Sequence, residues 1–302
     1  MDRPNRCHAH VRGADANKIS CRLSSVPKLL LIASIVIMSN ACAVNQRTAL
    51  PPIPSDPMAE RVNGEFVWID LMTEDIAAAT SFFSQLFGWR AARSGQNRDY
   101  YLFYLHGKPI AGMVETDNQN PSESESLWML SMSVQGLDRA LAIVNDQRGE
   151  VLDGPMDIEG RGRMALIRDS NGAPLILLDG HRGGPNARKV ESGNWIWTDL
   201  FTGNRQQAMA FYGSLVGFRA EWIEVGKTHS YDLFKRDDRT IAGIVELDWE
   251  GLQDNWLPYF MVEDVGRAIE RARMLGGHLI LESGDVAVLA DPTGAAFGIQ
   301  MQ

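Results

Sequence analysis

Two copies of one short pattern, Trp68-x-Asp70 and Trp197-x-Asp199, set an indole and a carboxylate two residues apart in stretches of alternating apolar and polar residues. Residues i and i+2 of a strand share a face, so each pair points the same way. A carboxylate held in an apolar cleft is a general base or a hydrogen-bond acceptor, because desolvation disfavours its charged form. The other reading is structural: Asp70 and Asp199 accept backbone or Trp N–H bonds at a sheet end. Both readings stay open at the level of sequence. Tyr101 and Tyr104 in the first copy, and His229 and Tyr231 in the second, are candidate aromatic contacts for a planar ligand. Glu115 and Glu246 recur at the end of a matched strand and are further candidates.

Other chemistry is scarce. The three cysteines, Cys7, Cys21 and Cys42, lie in the first 42 residues, so no disulfide or thiolate metal site is available beyond them. The six histidines are scattered: His8 and His10 lie in the upstream segment, and no paired-His or His-x-Glu arrangement lies among the repeats. A net charge of −9 provides no basic surface for a phosphate backbone, which sets nucleic acid aside as a partner.

The elements that must position these residues come twice. Residues 66–89 match 195–218 at an offset of 129, pairing Trp68 with Trp197, Asp70 with Asp199, and Phe82-Phe83 with Phe211-Tyr212. Residues 110–115 (IAGMVE) match 241–246 (IAGIVE), and Asp169-x-x-Gly172-Ala173 matches Asp291-x-x-Gly294-Ala295. Hydrophobic periodicity predicts a strand at 65–71, a helix at 76–87 started by Thr73/Asp75 and stopped by Gly88, and strands near 89–92, 100–106 and 109–115. The same βαβββ order recurs at 128–179, 195–246 and 257–301. Four units in two copies make an α+β chain with repeats at 65–180 and 195–302, joined by a polar linker at 181–194. Repeated Gly112 and Gly243 mark a close backbone approach.

Upstream, the uncharged run Leu29–Met38 is of signal-peptide length and about half of what a helix needs to cross a bilayer. Arg22 and Lys28 precede it, and Ser39-Asn40-Ala41-Cys42 follows, which resembles a bacterial lipoprotein cleavage box. Residues 1–41 are thus expected to be a signal peptide and Cys42 a lipid-bearing residue that anchors an exported protein, with Ala43 after it resembling the outer-membrane default. The segment 42–64, with Pro51, Pro52, Pro54 and Pro57, reads as an extended tether.

Paired βαβββ units, the segment ending F-[FY]-x2-L-x-G-[FW] and the D-x2-G-A segment resemble the vicinal oxygen chelate superfamily of glyoxalases, bleomycin-resistance proteins and dioxygenases. The resemblance covers residues 65–302 and implies two modules, each a half-open barrel around a small-molecule cleft, paired within one chain. Metal-dependent relatives hold a divalent ion through His, Gln or Glu on the first strand of each unit and a Glu near the end of the last strand. Those positions fall on Trp68, Trp197, Met129 and Leu257, and near Ile176 and Gly298, none of which ligates. The resemblance therefore implies a small planar or carbonyl-containing ligand, with no cofactor and no metal. The alternatives are an enzyme, a lyase, isomerase or hydroxylase using Asp70, Asp199 or an unrecognised divalent metal, and a pocket-poor envelope interaction protein.

Overall fold

The computed structural model describes residues 50–53, 62–95, 100–116, 126–180, 191–225, 229–247 and 253–301, with the side chains of 224, 225, 229 and 230 excepted. The expected signal peptide, Cys42, most of the tether and linker residues 181–190 lie outside these. No helix among the described residues is long and apolar enough to cross a membrane.

The first repeat runs β1 (Phe66–Thr73), α1 (Ile76–Phe87), β2 (Arg90–Arg93), β3 (Tyr100–Leu105), β4 (Lys108–Glu115), β5 (Leu127–Val134), α2 (Leu137–Asp146), β6 (Glu150–Ile158), β7 (Gly162–Arg168) and β8 (Pro174–Asp179). The second runs β9 (Trp195–Thr202), α3 (Arg205–Val216), β10 (Arg219–Val225), β11 (His229–Arg236), β12 (Arg239–Glu246), β13 (Asn255–Val262), α4 (Val265–Met274), β14 (His278–Ser283), β15 (Val286–Ala290) and β16 (Ala296–Met301). Each forms an eight-stranded mixed sheet, ordered β2-β3-β4-β1-β5-β8-β7-β6 and β10-β11-β12-β9-β13-β16-β15-β14. The fold is α+β with two tandem modules. β6 is longer than its expected end at 153, because bulges after Val151 and Asp153 carry the pairing past Gly154-Pro155 instead of ending it there.

Local chemistry sets the helices. Asp75 and Asn204 accept bonds from the backbone N–H groups of Ala78 and Gln207, and Gly88 and Gly217 end the helices in left-handed conformation. The modules pack through their helix-bearing faces. Phe82, Phe83, Phe87, Trp89 and Trp128 of module one meet Phe260 and Phe297 of module two in one aromatic cluster. Asn171 Nδ2 of module one donates to Thr202 Oγ1 of module two, and Thr73 Oγ1 to Thr293 Oγ1 in the pseudo-symmetric place. Joined on that side, the modules turn their concave faces outward.

Candidate functional site

The central strands β1 and β9 carry the repeated Trp-x-Asp pairs onto the concave faces. In module one the Trp68 indole donates to Asp70 Oδ1 at 2.9 Å, and the Tyr100 hydroxyl donates to the same oxygen at 2.5 Å. Arg161, from the β6–β7 turn, places Nη1 3.3 Å from Asp70 Oδ2 and Nη2 2.6 Å from Tyr100 Oη, with its guanidinium 5.0 Å from the Tyr100 ring centre. Trp68, Asp70, Tyr100 and Arg161 are 1–4% exposed. Burial, with Asp70 second, raises the Tyr100 pKa well above its ordinary value. The cluster is a buried ion pair with its hydrogen bonds satisfied, which is the condition under which such a pair is tolerated.

A fifth element closes this face. Arg161 Nε donates to the Pro51 carbonyl at 2.9 Å. Ile53 is buried against Val67, Trp68 and Leu178, with Leu102 and Met164 beside them. Residues 51–53 thus depart from the unpaired tether expected of 42–64, because an apolar branched side chain found an apolar cleft within reach.

Module two repeats the core of this arrangement without the cation. Trp197 Nε1 donates to Asp199 Oδ1 at 2.8 Å and to Tyr231 Oη at 2.8 Å, and the Tyr231 hydroxyl donates to the same Asp199 oxygen. Tyr259 from β13 also bonds to Asp199. Among the described residues no arginine reaches Asp199; the turn that corresponds to Arg161's carries Gly284 and Asp285. Burial is the largest influence on Asp199 and raises its pKa, with the Tyr231, Trp197 and Tyr259 bonds opposing. Beside Tyr259 lies a small apolar dent, of about 10 Å³, lined by Phe201, Val245, Leu281, Val286 and Val288. Trp197 is half-buried, where Trp68 is fully buried.

The glycines explain the shared geometry. A Cβ at Gly112 would stand 1.8 Å from both Asp70 Oδ1 and Tyr100 Oη, and one at Gly243 would stand 1.7 Å from Tyr231 Oη. Strands β4 and β12 run beside the carboxylates (Asp70 opposite Gly112, Asp199 opposite Gly243), so only glycine leaves room for the tyrosine hydroxyls.

The structure thus unites Trp68 with Asp70, and Trp197 with Asp199 and Tyr231. Tyr101 lies on the other face of β3, where its hydroxyl accepts from Arg93 Nη2 at 2.7 Å; Tyr100 takes the concave position instead. The offset of 131 that aligns IAGMVE with IAGIVE also pairs Tyr100 with Tyr231, and would have singled it out. Tyr104 packs under the Arg90 guanidinium, outside the Asp70 cluster. Glu115 is exposed at the end of β4, and Glu246 accepts from the Arg205 backbone N–H at the start of α3, so neither belongs to a concave site. His229 begins β11 with its side chain outside the described ones. Arg161, Tyr259 and the Pro51–Ile53 stretch carry no repeat or motif signal. Trp89 is a core residue, its indole donating to the Gly193 carbonyl.

The divalent ion that metal-dependent members of the superfamily hold, the alternative above, does not fit these residues. Across from Trp68 and Asp70 the register sets Ser131 and Met129, with Ile176 beyond Ser131, and across from Trp197 it sets Tyr259 with Gly298 beyond. Each nearby carboxylate is enclosed by N–H and O–H donors, and in module one a guanidinium already supplies the positive charge. Among the described residues, no group of three or more His, Cys, Asp or Glu could hold a metal ion.

Comparison with known proteins bears on the same residues. The family model described as Glyoxalase/Bleomycin resistance protein/Dioxygenase superfamily matches residues 65–177. A Mycobacterium tuberculosis protein provisionally named glyoxylase CFP32 is 30% identical over 241 residues, covering 77% of this chain and 92% of its own. The anthracycline biosynthesis protein DauV of a Streptomyces species is 28% identical over 257 residues, covering 78% and 92%. Among solved structures, the Mn(II)-bound glyoxalase of Novosphingobium aromaticivorans superposes with a TM-score of 0.52 at 12% identity, covering 80% of this chain and 82% of its own. A homoprotocatechuate 2,3-dioxygenase variant from B. fuscum gives 0.52 at 13% identity, with 83% and 74% covered. At such identities the two structures speak for the fold.

Proposed function

Because the chain belongs to the glyoxalase, bleomycin resistance protein and dioxygenase superfamily, we propose that it is a glyoxalase-like protein whose second module binds a small planar or carbonyl-containing molecule without a divalent metal. One observation carries the reading: the two modules share a Trp-Asp-Tyr cluster, and only the Asp70 copy is neutralised by a buried arginine. Asp199 has no cationic partner among the described residues, and burial raises its pKa above the ordinary carboxylate value. The Tyr231 hydroxyl and the Asp199 carboxyl offer hydrogen bonds to a carbonyl-bearing ligand, while the half-buried Trp197 offers flat contact. The relatives named for a glyoxylase and for anthracycline biosynthesis favour carbonyl-bearing, planar molecules. The cluster also supports general-base use of Asp199, because burial raises its pKa from the ordinary carboxylate value toward the operating pH.

Export and lipidation at Cys42 accompany this reading, supported by the Leu29–Met38 run and the Ser39–Cys42 box. The functional reading is tested by titrating protein purified without chelator with coumarin, a small planar carbonyl compound, alongside elemental metal analysis. Saturable quenching of tryptophan emission that survives EDTA and is lost in Asp199→Ala supports it. A stoichiometric Mn or Fe whose removal abolishes binding overturns the metal-free reading and makes the metal-dependent enzyme the better one.

A further inference from the structure

We infer that the concave cleft of module one is a receptor for an extended, proline-containing apolar peptide segment, and that in this chain it is occupied in cis by residues 51–53. The inference concerns a different cleft from the module-two reading and does not rest on it. Residues 51–53 join neither sheet, so no β-ladder holds them. Their attachment is of the kind a bound peptide makes. One backbone carbonyl, Pro51 O, accepts from a guanidinium nitrogen, Arg161 Nε, and one branched side chain, Ile53, fills an apolar pocket two residues on. Pro51 and Ile53 are buried and Pro52 is exposed, which is the alternation of an extended chain lying on a surface. Pro52 passes over Gly160, where a Cβ would stand 3.3 Å from its own Cβ.

Prolines suit this role. They have no N–H to lose on leaving water, and their backbone is already extended before binding, so little entropy is spent on docking. The receptor is built on the buried side. Arg161 is 3% exposed and fixed by Asp70 and Tyr100, so its Nε is aimed at the carbonyl before the segment arrives. Asp70 and Tyr100 therefore act as positioning residues for a peptide-binding arginine. The counterpart turn in module two has no arginine, which separates the two clefts by ligand class.

Occupancy also changes reach. With Pro51 seated, a chain anchored at Cys42 spans at most about 30 Å to the module surface, and with the segment released up to Val62 it spans about 70 Å. The cleft would then set how far the modules stand from an anchoring surface.

The test uses the full-length chain and a fluorescein-labelled peptide, acetyl-LPPIPS, followed by fluorescence anisotropy. Ile53→Asp is expected to empty the cleft, so that this variant binds the peptide saturably and at least tenfold more tightly than the wild type, whose own segment competes. A peptide with Asp in place of its Ile is expected to bind at least tenfold more weakly. A cooperatively folded Ile53→Asp chain that ignores the peptide overturns the proposal. In a second measurement, a protease site replaces residues 55–60 of the otherwise unaltered chain, which is cut after folding. Release of the N-terminal piece by excess acetyl-LPPIPS supports an exchangeable receptor; a piece that excess peptide never displaces, or loss of the fold on cutting, makes 51–53 a fixed part of the core and overturns it.

Discussion

Replacing Phe83 by tyrosine should stabilise the protein, because the sequence repeat leaves one hydroxyl present on one side of the module interface and missing on the other. Tyr212 and Phe83 hold equivalent helix positions, and each ring packs edge-on to an equivalent tryptophan, with centroids 5.2 Å apart for Tyr212–Trp256 and 5.4 Å for Phe83–Trp128. The Tyr212 hydroxyl accepts from Trp256 Nε1 at 2.8 Å and donates to Asp169 Oδ2, across the module boundary, at 2.9 Å. On the Phe83 side the matching groups, Trp128 Nε1 and Asp291 Oδ2, are both buried with no hydrogen-bond partner. A hydroxyl at position 83 would serve both. At about 1 kcal/mol net per hydrogen bond the gain is about 2 kcal/mol, or about 4–8 °C in midpoint for a chain of this size. The reciprocal Tyr212→Phe strands Trp256 and Asp169 and should cost about 2–3 kcal/mol. Urea denaturation and thermal melting of both variants at pH 7 read these shifts directly. An unchanged or lowered midpoint for Phe83→Tyr, together with a harmless Tyr212→Phe, would refute the account and show that solvent already satisfies these groups.

Three further outcomes follow from buried charge and close backbone approach. Burial raises the Asp169 pKa from 3.8 to about 6, and raises those of Asp291, Asp199 and Asp254. The native state therefore keeps protons that the unfolded chain has released, so stability contributed by Asp169 is full below about pH 4 and falls by up to about 3 kcal/mol as pH rises past 6. Denaturation at pH 4.5, 6 and 7.5 should show that decline and Asp169→Asn should flatten it; a wild-type midpoint that climbs with pH over this range contradicts the prediction. Arg161→Met leaves Asp70 charged and buried without its cation, and should cost about 3–5 kcal/mol in urea; a loss under about 1 kcal/mol would show the pair to be dispensable. Gly243→Ala drives a methyl into Tyr231 Oη and Asp199 Oδ1 and should destabilise by about 1–3 kcal/mol or more, with tryptophan emission shifting as Trp197 loses its partners; a near-native melt and spectrum would show that β12 can move aside.

Sequence alone determined the elements and their duplication, because the signals are local. Asp75 and Gly88 bound α1 by capping, Asn204 and Gly217 do the same for α3, and the alternation around Trp68 and Trp197 fixes strands whose odd and even residues take opposite faces. The repeat also led to the Trp-x-Asp pairs and to Gly112 and Gly243. Tertiary structure decided what those residues became. The face occupied by Tyr100 and refused to Tyr101 depends on the pairing of β3 with β4, and the neutralisation of Asp70 depends on Arg161, ninety-one positions away in a turn whose counterpart in module two carries no arginine. The seat of Ile53 likewise exists only once Trp68, Leu178 and Met164 have been brought together. Caps and alternation are set by neighbours along the chain and can be read there, whereas ion pairs and cleft occupancy are set by residues that become neighbours only when the sheets close.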